Sequence, residues 1–194
     1  PTTESFLYKE GIVINADATI KTKAFKDNMY DSAVNTYPIH IGEKELVVYL
    51  SPSNQYGNYG INASGYTTEM DMMNKLADYL QSYLELNGVK VYRNNPKGDI
   101  NAWLDESNYV KSDLHLALHS NASAEHNAYG IEMYVDNPSS RALSIANKIY
   151  NNLYKIYPYK DSYSNRGVKY SEKSLGEAND LFIPCGTLIE IAYH

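Results

Sequence analysis

From residue 46 onward, short apolar runs alternate with longer stretches of helical periodicity, and this alternation constrains the fold more than any other feature of the chain. Residues 46–50 are a compact apolar run stopped by Ser51-Pro52-Ser53, the pattern of a buried strand. Residues 53–66 have a loop composition of Asn, Gly, Ser and Tyr. A helix is predicted over 68–87, where Met73, Leu76, Ala77, Leu80, Tyr83 and Leu84 recur on one stripe and Gly88 provides a stop. Strands over 89–93, 114–119, 131–135 and 188–193 and helices over 100–110 and 140–157 complete the pattern. Strands interleaved with helices predict an α/β fold with a mainly parallel sheet and helices on both faces. Residues 1–44 show no long helical period. They read as an extended or strand-rich arm, with short strands at 11–15 and 18–22, ahead of one main domain over 45–194.

Composition narrows the partners. The 194 residues are 43% hydrophobic, enough for one domain with a real core. The net charge of −6 argues against a nucleic-acid partner, which usually meets a basic face. A lone cysteine, Cys185, excludes an internal disulfide. No apolar run approaches the roughly 18 residues that span a bilayer. Pro1 in place of an initiator Met, without a signal-peptide pattern, reads as a chain trimmed at its start.

Three side chains stand out as candidates for chemistry. Glu69 opens the first long helix on the stripe shared by Met73, Leu76 and Leu80, so its carboxylate points at the sheet; the plainer reading is an acid favouring a helix N-terminus. His119 ends a strand at the carboxyl edge of the sheet, where open α/β folds bind ligands, with Ser120-Asn121-Ala122 following as a loop. His115 shares its face and reads as packed beneath it. Glu190 sits inside an otherwise apolar strand. A carboxylate there needs a cation, a metal or a proton, and a salt bridge is the plainer reading. With right-handed connections the three can converge on one edge, and two ligands beside a free carboxylate follow the logic of a catalytic zinc site.

These residues carry a resemblance. Leu118-His119-Ser120-Asn121-Ala122, Ser112-Asp113-Leu114, Tyr129-Gly130-Ile131-Glu132, Asn165-Arg166-Gly167-Val168 and Leu188-Ile189-Glu190-Ile191-Ala192-Tyr193 are similar, in order, to motifs of the zinc-dependent N-acetylmuramoyl-L-alanine amidases of the Amidase_3 family. Glu69 precedes Ala77 as the family's second zinc ligand precedes an Ala. One motif departs: Ser51-Pro52-Ser53-Asn54-Gln55 stands where the family carries Asp-Pro-Gly-His, and Asn54 falls at the first zinc ligand, as in a divergent branch. The resemblance spans about 45–194. Family members usually continue into a final helix, so the chain reads as cut short at His194.

The resemblance implies zinc held by Glu69, His119 and a third group, Gln55, with His194 the alternative. It implies Glu190 as the base that takes a proton from water and returns it to the leaving amine. Asn121 and Arg166 are expected along the substrate groove; the plainer readings are a turn cap and a surface cation. The implied partner is bacterial peptidoglycan, met outside the cell by a monomer with a signal region removed, and an acidic chain of this kind would rely on a separate wall-binding domain. Two competing readings are a wall-binding or regulatory module that has lost a zinc ligand, and a peptidoglycan peptidase.

Overall fold

The computed structural model describes all residues except 10, 40–44, 61–64, 66, 126, 137–139, 172–174 and 180. The chain divides into two compact units, Pro1–Lys44 and Glu45–His194. In the first, β1 (Ala18–Thr22) pairs antiparallel with β2 (Asn35–Ile39), Ala18 opposite Ile39. The strand expected at 11–15 does not form, and Val13 stands almost fully exposed. β2 escapes the strand pattern because Pro38 lies inside it. A sheet of two strands is all edge, where a missing N–H is tolerated.

The second unit is the expected α/β layer. Its elements run β3 (Val47–Pro52), α1 (Glu69–Leu86), β4 (Lys90–Arg93), α2 (Ile100–Tyr109), β5 (Leu114–Asn121), β6 (Ile131–Val135), α3 (Ser140–Ile156), β7 (Asn165–Tyr170), α4 (Gly176–Asn179) and β8 (Gly186–Tyr193). Among the described residues the sheet order is β4-β3-β5-β8-β6-β7. All neighbours are parallel except β6 and β8, which run antiparallel.

Period-two alternation in β5 divides the two faces. Leu116 and Leu118 point into the larger core with Leu50, Met73, Ala77, Met133, Ala146 and Ile189, covered by α1 and α3. Ala117 points the other way and packs with Leu188 and Ala178 under α4. The helix α1 begins at Glu69 because the Thr68 hydroxyl accepts the Asp71 N–H at 3.1 Å, a side-chain N-cap worth about 1 kcal/mol.

Several boundaries differ from the sequence reading. β3 continues through Ser51 and Pro52, since a proline in the last position of a strand costs little pairing. β5 continues past His119 to Asn121 across a shift of register, so Ser120 and Asn121 are strand rather than loop. The loop reading over 53–66 falls partly outside the described residues. β7 was not anticipated as a strand, because Gly167 interrupts it with φ of +80°. The four residues of α4 are too few to show a period.

Gly130, just ahead of β6, has φ of +114°, and a Cβ there would lie 2.5 Å from the Ser164 carbonyl oxygen. Gly130→Ala is therefore expected to destabilise the fold by more than about 1 kcal/mol, read as a lower urea midpoint. An unchanged midpoint would show that the β6–β7 junction yields.

Candidate active site

The site forms where the carboxyl ends of β3, β5 and β8 meet the start of α1. The segment after β3 is tied to that helix: the Glu69 N–H donates to the Asn58 carbonyl at 2.8 Å, the Met70 N–H to the Gln55 carbonyl at 3.3 Å and the Asn74 amide to the Ser53 carbonyl at 3.3 Å. Glu69, on the apolar stripe of α1, is 1% exposed. Its Oε1 lies 2.9 Å from His119 Nδ1, and its Oε2 accepts from Asn58 at 2.7 Å. Gln55 reaches the same nitrogen, with Nε2 at 3.5 Å from His119 Nδ1 and Oε1 accepting from Asn58 at 2.7 Å. Gln55, Glu69 and His119 are thus brought together. His194 bonds elsewhere, its Nδ1 at 3.0 Å from Ser120 Oγ.

The sheet itself sets Glu190. Its Cα is the register partner of His119 on β5 and of Glu132 on β6, so the three side chains form one row on the α4 side. Among the described residues Glu190 Oε2 is buried without a hydrogen-bond partner, and no lysine or arginine neutralises it. Glu132, 2% exposed, takes the nearby cations: Arg166 Nε at 3.2 Å and Lys169 Nζ. Asn121 donates to Glu132 Oε1 at 2.7 Å and accepts the Ala122 N–H at 2.7 Å. The Arg166 guanidinium lies 5.6 Å from the Tyr163 ring centre and 5.1 Å from that of Tyr193. Asn121 and Arg166 therefore meet at Glu132, one strand beyond Glu190.

Sequence reasoning missed Glu177. This side chain of α4 projects under the row, 5% exposed, and meets His115 Nε2 at 3.2 Å, His119 Nε2 at 3.4 Å and the Ser51 hydroxyl. No periodicity flags a single acid in so short a helix.

The electrostatics separate these acids. Burial alone would raise all of them. For Glu177 the hydrogen bonds from His115 and His119 outweigh burial and pull the carboxyl down to about 2. Glu69 also overcomes burial, held low by His119 and Asn58, and Glu132 is held low by Lys169 and Arg166. Burial opposes charge on His119, but Glu177 and Glu69 prevail and raise it to about 10. Glu190 is the exception: burial dominates, Glu69 and Glu132 add repulsion, His119 offsets part of it, and the carboxyl rises to about 7.

This has a measurable consequence for stability. Glu190 has a reference value of 4.5, so between about pH 4.5 and 7 the folded chain holds a proton that the unfolded chain has lost. Its contribution is full below that window and declines as pH rises through it, by about 3 kcal/mol. In metal-free protein, Glu190→Gln should gain stability over the parent at pH 8 relative to pH 5. A difference between the two proteins that is the same at both pH values, by urea denaturation, would contradict the assignment.

Comparison with known proteins adds the family. The model of the family Amidase_3, N-acetylmuramoyl-L-alanine amidase, matches residues 48–193. The chain belongs to the Amidase_3 family. No curated protein matches it. Solved structures resemble this amidase-family chain in fold. The amidase AmiC2 of Nostoc punctiforme has a TM-score of 0.64 at 18% identity, over 78% of this chain and 82% of that one. Cwp6 from Clostridium difficile has a TM-score of 0.65 at 21% identity, over 76% of this chain but only 24% of its own length. The catalytic domain of the endolysin CD27L, targeting Clostridia difficile, has a TM-score of 0.58 at 22% identity, over 76% of this chain and 82% of that one. Among the described residues no helix is long and apolar enough to cross a membrane.

Amidase_3 proteins are typically metal-dependent. Among the described residues no group of three or more His, Cys, Asp or Glu side chains is arranged to hold a metal ion. Glu69 and His119 supply two donors 2.9 Å apart, close enough for one cation to lie about 2 Å from both. Gln55 turns its amide nitrogen, not its oxygen, toward His119, and its Oε1 accepts from Asn58, so the described residues bring together two groups able to ligate a cation, Glu69 and His119, beside the unpartnered Glu190 oxygen.

Proposed function

We propose that the chain hydrolyses the amide bond between N-acetylmuramic acid and the L-alanine of the stem peptide in bacterial peptidoglycan. The observation that carries this reading is Glu190 Oε2, buried and unsatisfied, in the same strand row as His119. A carboxylate kept out of water and free of a cation is poised to accept a proton.

Glu69 and His119 are the residues that would hold zinc. When bound, zinc lowers the pKa of water and polarises the scissile carbonyl. The remaining steps belong to the chain. Glu190 takes the proton of the attacking water on its free oxygen. It then passes that proton to the departing alanine nitrogen, which leaves as an amine. Glu132 keeps the positive charges of Arg166 and Lys169 one strand away, so Glu190 is not tied up in a salt bridge. Arg166, between Tyr163 and Tyr193, and Asn121 line the approach and orient substrate. The enzyme acts outside the cell, at the wall.

The test is product analysis on purified muropeptides. Release of intact stem peptides with a free L-alanine amine, dependent on added zinc, supports the reading. Cleavage within the stem peptide would make it a peptidase, and no turnover with no zinc bound would make it a binding module.

A further inference from the structure

The polar cluster on β6 and β7 holds one more positive charge than its carboxylate needs. Glu132 is fully occupied. Its Oε1 accepts from the Asn121 amide at 2.7 Å and from the Tyr193 hydroxyl at 3.4 Å, and its Oε2 meets Arg166 Nε at 3.2 Å and Lys169 Nζ. One cation would neutralise this buried acid. Two are present, in a chain whose net charge is −6. A backbone device places the second one. Arg166 and Lys169 are three apart, so a regular strand would turn them to opposite faces. The β6–β7 register shifts between Ile131 and Met133, and Gly167 has φ of +80°. This irregularity brings both side chains to Glu132. It is pinned by the Tyr150 hydroxyl, which accepts the Gly167 N–H at 3.0 Å and donates to Asn165 Oδ1 at 2.6 Å.

Arg166 is held in a way that leaves part of it available. Glu132 takes the guanidinium through Nε. Among the described residues its two terminal nitrogens donate to no carboxylate. The side chain is 26% exposed and flanked by the rings of Tyr163 and Tyr193, 5.6 and 5.1 Å away. Tyr163 is fixed in turn: its ring lies 4.8 Å from that of Tyr129, and its backbone N–H donates to Asp161 at 3.0 Å. A planar fork anchored at Nε and steadied by two rings is prepared to take a carboxylate across its remaining nitrogens. Arg166 stands one strand beyond Glu132 and two beyond Glu190, about 10 Å along the sheet. A peptide residue spans about 3.5 Å, and a charged hydrogen bond adds about 2.8 Å. A carboxylate on the residue next to the alanine at the cut closes that distance. The glycan side of the cut offers hydroxyls and amides, so the charge assigns this end of the groove to the peptide.

We propose that Arg166 binds a carboxylate on the second residue of the stem peptide and makes the enzyme select a free acid over its amide at that residue. The inference rests on the amidase reading for the identity of the substrate, and on the Arg166 geometry for the charge it recognises. An amide keeps one accepting oxygen but sets an NH₂ against the second guanidinium nitrogen. Loss of a charged, two-point contact of this kind corresponds to about 10–100-fold in kcat/KM.

The experiment measures kcat/KM of the full, zinc-supplied chain on two N-acetylmuramoyl pentapeptides that differ only at the second residue, a γ-linked glutamic acid in one and its α-amide in the other. Arg166→Gln and Arg166→Lys are run beside the parent, with fold checked by circular dichroism. The parent is expected to favour the acid by about 10–100-fold. That ratio should fall to within about twofold of one in Arg166→Gln, and to an intermediate value in Arg166→Lys, which keeps a charge beside Glu132 but loses the planar fork. The ratio is decisive, because a purely structural loss lowers both rates together. A parent ratio near one overturns the proposal and leaves the amidase reading standing, as does a ratio unchanged in Arg166→Gln. If Arg166→Gln does not fold, a ratio in Arg166→Lys equal to the parent's overturns it. Cleavage of neither peptide sinks the amidase reading. Calorimetric titration with the two free stem peptides then judges Arg166: tighter binding of the acid that is lost in Arg166→Gln supports carboxylate recognition, and equal binding of acid and amide overturns it.

Discussion

Glu190→Gln is expected to lower muropeptide hydrolysis by about 10²–10⁴-fold, the range of a lost general base, while zinc still binds with its stoichiometry unchanged. The substitution is nearly isosteric and removes only the capacity to take a proton. Glu190 Oε2 has no hydrogen bond to lose, and the β5–β8 and β6–β8 ladders on either side are backbone pairings that the side chain does not make. The fold should therefore persist, and by the pH argument above it should gain stability relative to the parent as the buffer is made alkaline. Single-turnover rates on a defined muropeptide, set beside a zinc titration of the same preparation, measure both halves. A variant that hydrolyses at the parental rate would remove Glu190 from the reaction. A variant that loses zinc instead would make it a ligand rather than a base.

His119→Ala should behave in the opposite way, losing zinc and activity together and costing stability as well. His119 is the cation between two buried acids, Glu69 at 2.9 Å and Glu177 at 3.4 Å. Truncation leaves both carboxylates buried with their main partner gone, and breaking a buried pair typically costs about 3–5 kcal/mol. Some of that returns if the two acids take up protons, so the loss should be smaller in acid than at neutral pH. Chelator competition and urea denaturation at pH 5 and pH 7.5 give the two measurements. A variant with parental zinc affinity would exclude His119 as a donor, and one with parental stability would show that water enters and solvates both acids.

Much of this architecture was legible in the chain. The alternation of apolar runs and helical stripes gave the α/β class. Its limits came where a local signal was absent or overridden. Pro38 hid β2, Gly167 hid β7, and α4 was too short to have a period. The direction of β6 against β8 depends on how the connections cross, which no local pattern records.

The site divides in the same way. By itself the sequence determined that Glu69 lies on a buried helical stripe, that Glu190 interrupts an apolar strand, and that His119 lies near a strand's carboxyl end, because periods of 3.6 and 2 fix which way a side chain points. Only the tertiary structure decided which of these groups meet and what charge surrounds each. Glu132 takes Arg166 and Lys169 and leaves Glu190 alone, and Glu177 comes from a distant helix to sit behind both histidines. Those outcomes depend on distances between side chains far apart in the chain. Burial and Coulomb interactions act through such distances in space, and sequence separation does not encode them.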